Sequence, residues 1–272
     1  MIFIIPNEGG DGLLNILYCG DSGVCDGIFL SALSVCKNAR EDVAFYILTA
    51  GVGNHKAIDE AFSKRLENAT GHKVFLLDIS AAFEKEKPSA NMATRFTPLC
   101  MLRLFADEVS EIPDRILYLD ADVLCRADFS RMYRSDMQGA EIAGVPDRYG
   151  KWFFGNIFRH DYLNSGVLLI DMAAVRKSGV FKRCRRMCCE KRMFMPDQTA
   201  LNRLAKKKKL PSRYNAQGKI RQDTVFKHFT TFFRFWPFFH SVTIKPWQED
   251  KLHSDLKIFE FDDILDKLKR SR

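Results

Sequence analysis

Strand-like apolar runs alternate with helix-like segments through much of this chain, and that alternation constrains the fold more than any other feature. From Leu13 the run LLNILYC ends in the glycine-rich turn GDSG, and GIFLSALSVCKNA then carries apolar residues at helical spacing. DVAFYILTAG reads as a second buried strand with a glycine stop. AIDEAFSKRLENATG reads as an amphipathic helix closed by Gly71, and HKVFLLDI as a third strand. Strands joined by helices imply right-handed crossovers and a mainly parallel, Rossmann-like α/β sheet whose ligands bind at the carboxyl ends of its strands.

Further along, residues 84–98 (EKEKPSANMATRFTP) are polar and proline-bounded and predict a loop, after which LCMLRLFADEV resumes as a helix. RILYL is a buried strand, EIAGVPD and YLNSGVLLIDM are two more, and a basic helix is expected near VRKSGVFKRCRRMCCEKR. PDQTALNRLAKKKK predicts a helix entered at Pro196 and ending in four lysines. After Pro211 the periodicity fades into the aromatic stretch FKHFTTFFRFWPFFHSVTIKPW, and EFDDILDKLKRSR closes the chain as a short helix with a cationic end. With 272 residues and 46% hydrophobic content, one domain over 1–272 is expected, in which residues from about 211 to 272 cap the site and end in a basic tail. The aromatic run from Phe226 to Phe239 reads first as core beneath that cap, and otherwise as a lid that excludes water.

The formal net charge of +8 favours anionic partners, yet the excess is modest and no nucleic-acid partner is expected. Lys206 to Lys209 and the end of the chain are candidates for contact with an anionic membrane. MIFIIPNEGGDGLL breaks at Pro6 after five residues, and no run of about 18 apolar residues occurs, so a cytoplasmic chain is expected, with the inner membrane face as a docking place. The eight scattered cysteines then read as reduced thiols that fill the core.

The stretch RILYLDADVLCRAD carries Asp120 and Asp122 just past a buried strand. Alternation puts positions two apart on one side, so both carboxylates can face one site. Ionised carboxylates this close repel each other, and a bound cation or a basic partner is the usual way to keep both charged. A hard divalent ion suits such oxygen ligands and would also gather nucleotide phosphates. The plain structural alternative is that Asp120 caps a helix and Asp122 is solvated. The motif also resembles the nucleophile motif of haloacid-dehalogenase-like phosphatases, but that motif begins its domain, and here three strands precede it.

Taken in order, YCGDS, RLF, LYLDADVL, YLNSGVLLID, PDQTALN and IKPW resemble family 8 glycosyltransferases over roughly residues 13 to 248. The resemblance implies a GT-A fold and a retaining enzyme that moves a hexose, galactose or glucose, from a UDP-sugar to a saccharide or lipid-linked saccharide acceptor. It implies Mn2+ or Mg2+ on the triplet Asp120, Ala121 and Asp122, and roles in donor binding for Asp21, at the uracil or ribose, and for Cys19 two residues before it. Lys245 matches the cation that pairs with the diphosphate. Arg103 matches an arginine near sugar and phosphate. Asn164, Asp197 and Gln198 match the residues around the donor sugar and the reacting centre, without an obvious carboxylate nucleophile among them. The family's third metal ligand is a late histidine; His228 in KHFTT has the matching neighbours, while His240 is closer to IKPW and stands as the alternate. A nucleotide-sugar-binding protein without turnover is the remaining alternative.

Overall fold

The computed structural model describes residues 12–92, 98–149, 161–234, 236 and 240–271. Its centre is a seven-stranded sheet made from β1 (Leu13–Gly20), β2 (Asp42–Thr49), β3 (Val74–Asp78), β4 (Arg115–Leu119), β6 (Ile142–Pro146), β7 (Leu163–Asp171) and β8 (Lys207–Lys209), in the order β3-β2-β1-β4-β7-β6-β8. Strands β1 to β4 run parallel to one another where they pair, as does β8 with β6. Strand β7 is antiparallel to both β4 and β6. β7 is therefore the exception in a mostly parallel sheet. Its amino end lies at the carboxyl end of β4, and Asp120 N donates to Gly166 O at 2.8 Å.

Apolar side chains on both faces of the sheet explain the continuous hydrophobic runs of its strands. Leu14, Ile16 and Tyr18 of β1 pack toward the Cys25–Asn38 helix and the Asp262–Ser271 helix, while Leu17 faces the segment Pro98–Glu108 and the Val180–Glu190 helix. A two-stranded ribbon of β5 (Val123–Cys125) and β9 (Phe226–His228) ties the C-terminal region to the β4 exit, with Val123 opposite His228. A second ribbon pairs β10 (Phe232–Arg234) with β11 (His240–Val242) within the aromatic stretch.

Several expected elements differ. The segment Pro98–Glu108 is 3-10 helix, and residues 84–98 include a 3-10 turn at Ser89–Asn91. The basic helix is two helices, Met172–Ser178 and Val180–Glu190, broken at Gly179 with φ of 65°. The helix begun at Pro196 ends at Leu204, and three of the four lysines that follow, Lys207–Lys209, form the edge strand β8. Among the described residues, no helix is long and apolar enough to cross a membrane.

Candidate active site

Strand β4 delivers Asp120 to the mouth of the sheet, and the turn into β5 brings Asp122 to the same side. Because β5 pairs with β9, His228 reaches both carboxylates: Nε2 lies 3.2 Å from Asp122 Oδ1 and 3.7 Å from Asp120 Oδ2. One ligand atom from each of Asp120, Asp122 and His228 lies within 4.8 Å of the others, an arrangement that could hold a metal ion. The remaining oxygens are occupied. Tyr118 Oη donates to Asp120 Oδ1 at 2.6 Å and Arg103 Nη2 donates to the same oxygen at 2.9 Å. Lys245 Nζ donates to Asp122 Oδ2. Each carboxylate thus has one oxygen held by protein and one aimed at the imidazole, which suits a hard divalent cation with mixed O and N donors. Burial works to raise the Asp122 carboxyl, but the neighbouring His228 imidazole and Lys245 ammonium and their hydrogen bonds overcome it and hold Asp122 far below the usual carboxylate range.

Arg103 is buried, stacked 4.0 Å from the Tyr118 ring, and donates to Ser165 O at 2.6 Å as well as to Asp120. It also pairs with Asp197 Oδ2 at 3.3 Å, so one guanidinium links Asp120 to the start of the Pro196–Leu204 helix. Burial pushes the Asp197 carboxyl up, against the pull of Arg103. Gln198 Oε1 accepts from Ser165 N at 2.9 Å, and its Nε2 donates to Asp147 Oδ2 at 3.3 Å. Asn164 Nδ2 donates to the same Asp147 oxygen at 3.0 Å. Asp197, Gln198 and Asn164 therefore form one buried polar floor beside the Asp120 end of the cluster.

Asp21 caps the turn after β1 by accepting from Gly23 N, and its other oxygen meets His55 Nδ1 at 2.6 Å. Cys19 is partly buried in β1, and burial pushes its thiol up, with Arg103 nearby opposing. Ala121 abuts Gly27, where a Cβ would sit 2.6 Å from both Ala121 O and the Trp247 ring. The structure brings His228 to the carboxylates; the His240 side chain lies outside what is described.

The sequence profile described as Glycosyl transferase family 8 matches residues 15–251. The chain belongs to this family. This glycosyltransferase is 26% identical over 299 residues to the lipopolysaccharide 1,2-glucosyltransferase of Escherichia coli (strain K12), covering 95% of this chain and 86% of that protein. It is 25% identical to general stress protein A of Bacillus subtilis (strain 168), covering 77% of this chain and 76% of that one. Its fold matches the galactosyltransferase LgtC in complex with donor and acceptor sugar analogues, with a TM-score of 0.69 at 19% identity, covering 94% of this chain and 96% of that one. The mixed sheet with its helical layers is thus the GT-A fold expected for the family. Three polar residues of this family 8 enzyme escaped sequence reasoning. Asp147 sits just past β6, as Asp120 does past β4, and Tyr118 is two residues before Asp120; both positions were open to the strand-end and alternation arguments. Asn215 carries no such signal.

Proposed function

We propose that the enzyme transfers a hexose, galactose or glucose, from a UDP-sugar to a saccharide acceptor with retention of configuration, in lipopolysaccharide or other cell-surface polysaccharide synthesis. The observation that carries this reading is the convergence of Asp120 Oδ2, Asp122 Oδ1 and His228 Nε2 on one point beside Lys245, in a family 8 chain. The names of its relatives, a lipopolysaccharide glucosyltransferase and a galactosyltransferase, supply the substrate class.

Asp120, Asp122 and His228 would hold Mn2+ or Mg2+. When bound, that ion supplies positive charge for the diphosphate leaving group. Lys245 is a point cation able to turn from Asp122 toward phosphate, and Arg103 fixes Asp120 and Asp197 in one orientation. Asn164, Asp197 and Gln198 offer buried polar atoms to donor-sugar hydroxyls. Asp197 is held by Arg103, with Ser165 Oγ at 3.5 Å, while the Gln198 carbonyl oxygen is already bonded to Ser165. Neither is poised as a nucleophile, so front-face attack, with the departing phosphate accepting the acceptor's proton, is the preferred route. Family membership and fold leave the phosphatase alternative without support.

Calorimetric titration of UDP tests this reading, run with Mn2+, with excess chelator, and with Asp120→Ala plus Asp122→Ala. Binding that requires both the ion and the two carboxylates is the expected result. UDP binding that is indifferent to both, or absent throughout, overturns it.

A further inference from the structure

A chain of buried amides runs from the metal cluster to Asp147. His228 Nδ1 lies 3.1 Å from Asn215 Oδ1, Asn215 Nδ2 donates to Asn164 Oδ1 at 2.9 Å, and Asn164 Nδ2 donates to Asp147 Oδ2 at 3.0 Å. Asn215 is 1% exposed, and both His228 and Asn164 are buried beside it. Amide groups can in general be turned end for end, so the polarity of such a chain must be set by groups whose character is fixed. Two such groups are present. The carboxylate of Asp147 can only accept, and the backbone N–H of Gly166, 3.0 Å from Asn164 Oδ1, can only donate. Asn164 is therefore locked with its carbonyl oxygen toward Gly166 and Asn215. Asn215 must then donate its Nδ2 to that oxygen, which leaves its own Oδ1 facing His228.

We infer that Asn215 is a positioning residue that fixes the tautomer of His228 with the proton on Nδ1, and that Asp147, acting through Asn164, sets that choice. The competing tautomer, with the proton on Nε2 donated to Asp122, needs Asn215 reversed. That reversal would set its carbonyl oxygen against Asn164 Oδ1 at 2.9 Å with no proton between them. With Nδ1 protonated, the Nε2 lone pair joins two carboxylate oxygens aimed at one point, and a cation is the partner this arrangement wants. An acceptor on the far nitrogen of a metal-binding histidine orients the ring and raises its basicity, and its loss typically weakens metal binding about 10–100-fold. The inference rests on the metal site proposed above and adds that the asparagine holding it ready lies outside the ligand set.

The test uses histidine labelled with 15N in the metal-free, full-length protein at mildly alkaline pH, with His228 assigned by His228→Gln, alongside titration with Mn2+ alone. The wild type should show His228 protonated at Nδ1. Asn215→Leu should shift it toward the Nε2-protonated form and weaken Mn2+ binding roughly 10–100-fold. Asp147→Asn, which leaves every ligand and Asn215 in place, should shift both readouts the same way by less. Asn215→Asp still offers Nδ1 an acceptor and should keep the wild-type tautomer. Thermal melts establish which variants fold, and Asp147→Asn carries the test if Asn215→Leu does not. An unchanged tautomer with unchanged Mn2+ affinity in folded Asn215→Leu or Asp147→Asn overturns the inference. A wild type that does not bind Mn2+ removes the metal reading instead, while the tautomer data still decide the role of Asn215.

Discussion

Gly166 shows how little room the cluster leaves at single-residue scale. A Cβ there would lie 2.7 Å from His228 Nδ1 and 2.8 Å from Asp120 Oδ2, and closer still to His228 Cε1. Both side chains are held from behind, His228 by Asn215 and Asp120 by Tyr118 and Arg103, so neither can retreat cheaply. Gly166→Ala should therefore weaken Mn2+ binding by an order of magnitude or more, through displaced ligands, and cost about 1–3 kcal/mol of stability through overpacking. Calorimetry and a thermal melt read the two effects separately; unchanged Mn2+ affinity would show that the metal lies elsewhere. The residues that meet here divide by how they could be read. Asp120 and Asp122 stand out because two carboxylates at a strand end demand a partner, and Lys245 and His228 through motif order. Tyr118 reaches Asp120 from two residues away in the same strand, and Asp147 follows a strand end as Asp120 does, so both carry a local signal; Asn215 matters only because the chain folds back so that β9 lies beside β5, and no local pattern in its own segment encodes that return.

The tetralysine segment makes the same point for elements. Helical spacing carried the Pro196 helix through Lys206–Lys209, but the helix stops at Leu204 and Lys207–Lys209 add an edge strand beside β6. Charged residues on a sheet edge discourage further strand pairing, a tertiary advantage invisible to periodicity. Two of the four are committed: Lys207 Nζ donates to Asn202 O at 2.9 Å and to Asp161 O at 3.0 Å, and Lys208 Nζ donates to Asp136 O. Lys206 and Lys209 are the exposed pair. If this edge contributes to contact with anionic membrane, Lys206→Glu with Lys209→Glu should reduce binding to phosphatidylserine-containing vesicles at least tenfold, at about 1 kcal/mol per lysine. The melting temperature should barely move, as for other surface changes. Vesicle binding unaffected by the pair, or insensitive to salt, would remove this edge as the contact. The broken basic helix had a legible cause, since Gly179 adopts a left-handed conformation that a β-carbon disfavours. The reversal of β7 did not, because a buried apolar run reads alike in either direction.

At the scale of the whole molecule, the sequence alternation predicts the layered α/β sheet but not how the chain returns to its own start. After the sheet is complete, the C-terminal region comes back across it: β9 pairs with β5, Trp247 closes on Gly27, and Ile264, Leu265 and Leu268 join the core that contains the Cys25–Asn38 helix. Lys245 and Asp122, 123 positions apart, are drawn together at the site. His228 belongs to this returning segment, whereas Asp120 and Asp122 sit in the turn at the exit of β4, so a cation on all three would join the two across a long loop. Anything that binds only the folded state stabilises it by mass action, by about 2.7 kcal/mol at a hundredfold excess over its dissociation constant. For a chain of this size that amounts to roughly 5–10 °C in melting temperature. Saturating Mn2+ should produce such a rise, excess chelator should reverse it, and Asp120→Ala with Asp122→Ala should abolish it. Hydrogen exchange should place the added protection in β9 and around Lys245 rather than in β2 and β3 at the far side of the sheet. The same rise in the double variant, or protection spread evenly over the molecule, would mean that the ion acts somewhere other than between the sheet and its returning segment.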